Sequence, residues 1–90
     1  MQFTGNEYQA GGISLLEVAE KFGTPSFVYD AAVIKKKYDS LCSAFKGADL
    51  RVKYACKANT NISVLKYIRS LGAGLDAVSI QEVELGLYCG

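Results

Sequence analysis

An α/β fold with parallel strands is the class this sequence predicts, and three observations carry it. From Arg51 onward, short apolar runs alternate with amphipathic stretches of helical spacing, the pattern of repeated βα units. The connections between these segments are short, as such units allow. Helix-start signals recur, S-L-L-E at 14–17 and S-I-Q-E at 79–82. In such a pair the serine hydroxyl accepts from the glutamate N–H while the carboxylate reaches back. In order, the chain reads helix, strand, helix, strand, helix, strand, helix.

The first helix opens at Ser14, keeps Leu15, Leu16, Ala19 and Phe22 on one face, and ends at Gly23. S-F-V-Y-D at 26–30 reads as a short strand behind Pro25. Asp30 can cap the next helix, with Tyr29 and Ile34 as a hydrophobic staple. Ile34, Tyr38, Leu41, Cys42 and Phe45 give that helix its apolar stripe. Lys35, Lys36 and Lys37 splay over nearly a full turn, so they read as a solvated face and not as a phosphate patch. L-R-V-K-Y-A-C-K at 50–57 is the second strand. A helix from Ile62 to Leu71 then buries Val64, Leu65, Ile68 and Leu71, and G-A-G at 72–74 stops it. No G-x-G-x-x-G surrounds those glycines, so they are not a dinucleotide fingerprint. L-D-A-V-S at 75–79 is the third strand, and Ile80, Val83 and Leu87 line the last helix.

Composition removes several function classes. Half of the 90 residues are apolar and the net charge is +1, so the chain has the makings of one small folded domain without an electrostatic pull towards nucleic acid or anionic lipid. No apolar run approaches the length of a membrane span, and the first residues show no basic region followed by a hydrophobic block. Cys42, Cys56 and Cys89 form no C-x-x-C pair, which argues against a disulfide scaffold or a zinc knuckle and fits a reducing cytoplasm. There is no histidine, so a Ser-His-Asp or Cys-His nucleophile is excluded within this chain. Chemistry here has to run on lysine, carboxylates, hydroxyls or a borrowed cofactor.

Lys57 is the residue to explain. Side chains alternate along a strand, so Val52, Tyr54 and Cys56 share one face while Lys53, Ala55 and Lys57 share the other. A face of that second kind suits a barrel interior with wet ends, where Lys57 would stand at the mouth. Active sites of parallel barrels and open α/β sheets lie at the carboxyl ends of their strands. On the third strand, Asp76 and Val78 share a face opposite Leu75, Ala77 and Ser79. An acid flanked by apolar residues is costly without a partner, and Lys57 on the neighbouring strand is the expected one. Two parallel strands also need cover on both faces, so the unit reads as part of a larger assembly such as an eight-stranded barrel. A lysine at a barrel mouth can form a Schiff base with an aldehyde or ketone. A carboxylate beside it favours the charged amine, so Asp76 would orient Lys57 or pair with a protonated imine.

Y-A-C-K-A-N at 54–59 resembles the motif whose lysine holds pyridoxal phosphate in the barrel-type amino-acid decarboxylases. T-P-S-F-V-Y-D upstream and G-A-G-L-D-A-V-S-I-Q-E-V-E-L-G-L downstream extend the resemblance over Thr24 to Gly90, most strongly to the diaminopimelate decarboxylase family. The resemblance implies the beginning of a (β/α)8 TIM barrel, about its first two βα units, preceded by a strand and helix that belong to a β-rich second domain. Residues 1–46 would lead into the barrel and 47–90 would start it. It further implies a homodimer at full length; the cytoplasmic location and the lack of nucleic acid or membrane partners are expected from composition alone. The reaction would be pyridoxal-phosphate-dependent loss of carbon dioxide from an amino acid, meso-diaminopimelate giving L-lysine. Position by position, Lys57 matches the Schiff-base lysine, Asp76 an acid near the cofactor, and Glu82 a glutamate near the active site. The phosphate-binding glycines, the partner of the ring nitrogen and the ring-stacking residue would lie in later sequence, so these residues alone are expected to be inactive.

Plainer roles stand beside these. Glu82 is already explained by its capping box, Asn59 and Asn61 by turn and cap formation, and Cys56 by core packing away from Lys57. The function also has rivals: a decarboxylase of another basic amino acid or of polyamine synthesis, an alanine racemase, or a non-catalytic pyridoxal phosphate carrier. A small interaction module without cofactor remains a further alternative.

Overall fold

The computed structural model describes residues 1–90 as an α/β chain. It divides into two compact units, residues 1–33 and 34–90.

The first unit holds an antiparallel meander, β1 (Gln2–Thr4), β2 (Glu7–Ala10) and β3 (Ile13–Ser14), followed by α1 (Leu15–Phe22). None of these strands is anticipated by the helix-first reading. Gly5–Asn6 and Gly11–Gly12 are two-residue connections of the kind that turn hairpins. Phe3 pairs with Tyr8 across the first of them, ring centroids 4.9 Å apart. Ser14 does cap α1, but its hydroxyl accepts from Leu16 N–H at 3.2 Å and donates to Glu7 at 2.6 Å. The capping box with Glu17 is therefore replaced by a tie back to β2. Residues 25–30 form no strand, a correction to the reading of S-F-V-Y-D; Phe27 is 91% exposed, and its alternating pattern finds no neighbouring strand to pair with.

α2 (Ala31–Ala44) begins where Asp30 Oδ1 accepts from Ala32 N–H at 2.9 Å, as the capping rule expects. Lys35 pairs with Asp39 one turn on, and Lys36 and Lys37 are exposed. In the second unit β4 (Lys53–Ala55) lies parallel to β5 (Gly74–Asp76), Lys53 opposite Gly74, Tyr54 opposite Leu75 and Ala55 opposite Asp76. The helix between them, α3 (Ile62–Ser70), is capped by Asn61, whose side chain accepts from Val64 N–H at 3.2 Å. α4 (Ile80–Cys89) follows β5. This is β-α-β-α order with a parallel pair, as the sequence predicts, although both strands are shorter than predicted. α4 sits so close to the sheet that a Cβ at Gly86 would fall on Leu75 Cδ2. The core is small: Cys56, Val64, Leu65 and Ala73 are its buried apolar residues. No helix is long and apolar enough to cross a membrane.

Candidate functional site

The register of β4 and β5 defines the site. Paired residues of parallel strands share a face, so Lys53, Ala55, Gly74 and Asp76 lie on one side of the sheet and Tyr54 and Leu75 on the other. The alternation read from sequence therefore holds through Ala55. It does not carry on to Lys57. After Ala55 the backbone tightens into a 3₁₀ turn, Cys56–Ala58, closed by Asn59 N–H donating to Cys56 C=O at 3.1 Å. Lys57 stands on that turn just past the carboxyl end of β4 and is exposed. Its amine forms no hydrogen bond or ion pair.

Asp76 closes β5, opposite Ala55, and is exposed. The expected ion pair between Lys57 and Asp76 is not formed. The physical reason is that both groups are solvated, and an ion pair in water gains little over two hydrated charges. The structure does bring the two backbones to the same end of the same parallel pair. Gly74, two residues before Asp76, has Lys53 stretched across it: a Cβ there would meet Lys53 Nζ at 2.7 Å. On this face Ala55 and Gly74 are small, and the Lys53 side chain fills the space over Gly74.

Glu82 forms the second capping box as predicted. Ser79 Oγ accepts from Glu82 N–H at 3.2 Å, and Glu82 Oε2 accepts from Ser79 Oγ at 3.2 Å and from Val78 N–H at 3.4 Å. Its other oxygen, Oε1, is buried without a hydrogen-bond partner. Beside it lies Cys56, completely buried, whose thiol is pushed up by burial first and then by the Glu82 carboxylate. Cys56 is thus the enclosed residue the sequence predicts, but the influence of Glu82 on its thiol is not visible there, since the two lie 26 positions apart (82 − 56). Asn59 and Asn61 do structural work: Asn59 Oδ1 accepts from Asn61 N–H at 2.9 Å, and the Tyr54 hydroxyl donates to Asn59 C=O at 3.5 Å.

The carboxyl end of parallel strands is where α/β proteins place their active sites, and an exposed, unpaired amine there belongs to the class of groups able to condense with a carbonyl. Of the α/β proteins with an amine so placed, the chain belongs to the pyridoxal-dependent decarboxylases: residues 31–90 match the family described as "Pyridoxal-dependent decarboxylase, pyridoxal binding domain". It is 42% identical to the diaminopimelate decarboxylase of Pseudomonas fluorescens over 98% of this chain and 21% of that one. To that of Methanothermobacter thermautotrophicus it is 42% identical, over 89% of this chain and 19% of the relative. For Aquifex aeolicus the figures are 38%, 100% and 21%. The chain spans about a fifth of the length of these relatives. No solved structure matches it.

Proposed function

We propose that this chain supplies the lysine-bearing start of a pyridoxal-phosphate-dependent amino-acid decarboxylase, with meso-diaminopimelate as substrate and L-lysine as product. The observation that carries the reading is the unpaired amine of Lys57 on the turn beyond β4. An aldehyde is captured by a primary amine that is accessible and not locked in an ion pair, and Lys57 is exposed and unpaired. The residues present therefore fit the aldehyde end of the cofactor. Lys57 would hold that end, and Asp76 would orient the lysine from the adjacent strand. Bound pyridoxal phosphate would supply an electron-accepting ring for the bond broken on loss of carbon dioxide. Glu82, fixed by Ser79 and Val78, would steady the site from the start of α4.

In this reading residues 47–90 are the first two βα units of a (β/α)8 barrel, and residues 1–46 lead into it. The β1–β3 meander joins the β-rich domain, and the full-length protein works as a dimer. The test uses a polypeptide of the relatives' length. Lys57→Ala should abolish the visible absorption of lysine-bound pyridoxal and carbon dioxide release from meso-diaminopimelate. Retention of both by the variant would overturn the assignment, and release from a different amino acid in a panel would correct the substrate.

A further inference from the structure

We propose that Asn59 is a positioning residue for Lys57, its side chain and backbone holding the turn from which the lysine springs at one angle between β4 and α3. The role of Lys57 itself rests on the reading above; the hold of Asn59 on the turn does not. Three groups of Asn59 are engaged. Its N–H donates back to Cys56 C=O at 3.1 Å and closes the turn. Its C=O accepts from the Tyr54 hydroxyl at 3.5 Å, a long bond that comes from the strand before the turn. Its Oδ1 accepts from Asn61 N–H at 2.9 Å, on the side of the helix that follows. Lys57, Ala58 and Thr60 are exposed, while Asn59 among them is half-buried.

Neither the backbone nor the helix accounts for an asparagine here. At φ −163° and ψ 121° residue 59 is extended, a conformation open to any residue. α3 has its own cap, since Asn61 Oδ1 accepts from Val64 N–H at 3.2 Å. What the Asn59 side chain adds is a turn of its own, in which Oδ1 takes the N–H two residues on. That turn follows the 3₁₀ turn directly; Asn59 N–H closes the first and Oδ1 the second, so a single residue couples them. The need for the coupling follows from the ladder, whose last pair is Ala55 with Asp76. Past that pair no strand partner holds the chain. The lysine amine rides on a flexible four-carbon stem, so a fixed starting direction is what keeps it aimed at one place.

Amide hydrogen exchange in a polypeptide of the relatives' length tests the hold without the cofactor. Asn59→Ala keeps the N–H of residue 59 and removes Oδ1. Exchange should then quicken about tenfold, the scale of one lost hydrogen bond, at residue 61, which loses its acceptor, and also at residue 59. Asn59→Asp keeps the acceptor and should restore protection at both, with Asn59→Ser partway. Ile68, towards the far end of α3, is the reference and should not change. Faster exchange at residue 61 alone overturns the proposal, and so does an equal rise at Ile68, which would be a general loosening. An unprotected residue 59 amide in the unaltered protein overturns it with no variant at all. A second readout is the rate at which added pyridoxal phosphate develops the absorption of lysine-bound pyridoxal. It should fall severalfold in Asn59→Ala and recover in Asn59→Asp, while reductive methylation of Lys57 by formaldehyde, which needs no orientation, keeps its rate. Equal slowing of both reactions would mean that exposure of the amine, not its direction, had changed, and would overturn the proposal. If the unaltered protein develops no such absorption, the reading of Lys57 fails and the exchange result still decides the hold of Asn59. Unchanged exchange with normal absorption sinks the hold and leaves Lys57 standing.

Discussion

Lys57 is available because nothing nearby claims it: its amine has no hydrogen bond or ion pair, and its turn projects beyond the ladder. Lys53, four residues earlier on β4, lies instead across Gly74. Motif and position single out Lys57 before any coordinates, whereas its departure from the strand face depends on where the ladder ends. Local side-chain bonds were legible as well: Asn61, Ser79 and Asp30 cap as their spacing predicts. Ser14 was not, because its partner Glu7 comes from a strand the sequence reading did not place. Three groups also set the alkaline behaviour. The Cys56 thiol is raised chiefly by burial, the Tyr38 phenol chiefly by burial and then by Cys42, and the Lys35 amine by its bond to Asp39. A group whose folded pKa is raised stabilises the fold below its unfolded pKa, and that contribution is lost as pH climbs through the folded one. Urea midpoints should therefore hold steady from neutral pH to the ordinary thiol range near about 8.5 and fall above it. Cys56→Ala should flatten the first part of that fall, and Tyr38→Phe a later part.

At the level of elements, α4 and β5 meet through a missing side chain. Gly86 lies where any Cβ would strike Leu75 Cδ2, so two effects of opposite sign compete in Gly86→Ala. Alanine gains about 0.5–1 kcal/mol over glycine inside a helix, while overpacking costs about 1–3 kcal/mol. Overpacking should win, lowering stability by about 1 kcal/mol in urea unfolding. In a Leu75→Ala background the obstruction is gone, and Gly86→Ala should stabilise. A loss of the same size in both backgrounds would show that the close approach is not the cause. Helices α3 and α4 and the parallel pair were legible because each carries its own periodicity and cap. The meander was missed for a physical reason. Its strands are three, four and two residues long, too short for alternation to register, and the informative signal was the pair of glycine-bearing turns, Gly5–Asn6 and Gly11–Gly12.

On the scale of the whole molecule, apolar surface exceeds what this chain covers. Phe22, Phe27, Leu87 and Tyr88 are 71%, 91%, 77% and 68% exposed, against the four buried apolar residues of the core. The sequence reading pointed the same way, since two parallel strands need cover on both faces. On its own the 90-residue chain should bind a hydrophobic dye strongly and release no carbon dioxide from meso-diaminopimelate even with pyridoxal phosphate added. Dye fluorescence and a carbon dioxide assay, repeated on a polypeptide of the relatives' length, check both. Dye binding should drop and turnover appear in the longer protein, and turnover by the short chain would contradict the division of labour proposed here. The proposed activity was read from the motif around Lys57 together with its two flanking blocks. Substrate choice was not, because nothing on β4 or β5 distinguishes one amino acid from another.

The ladder stops one residue short of the turn that carries the amine. In its proposed role the lysine must release a carbonyl carbon and later recapture it. Mounted on a pivot past the last rung, it can swing through that exchange while every strand-to-strand bond stays at its resting length.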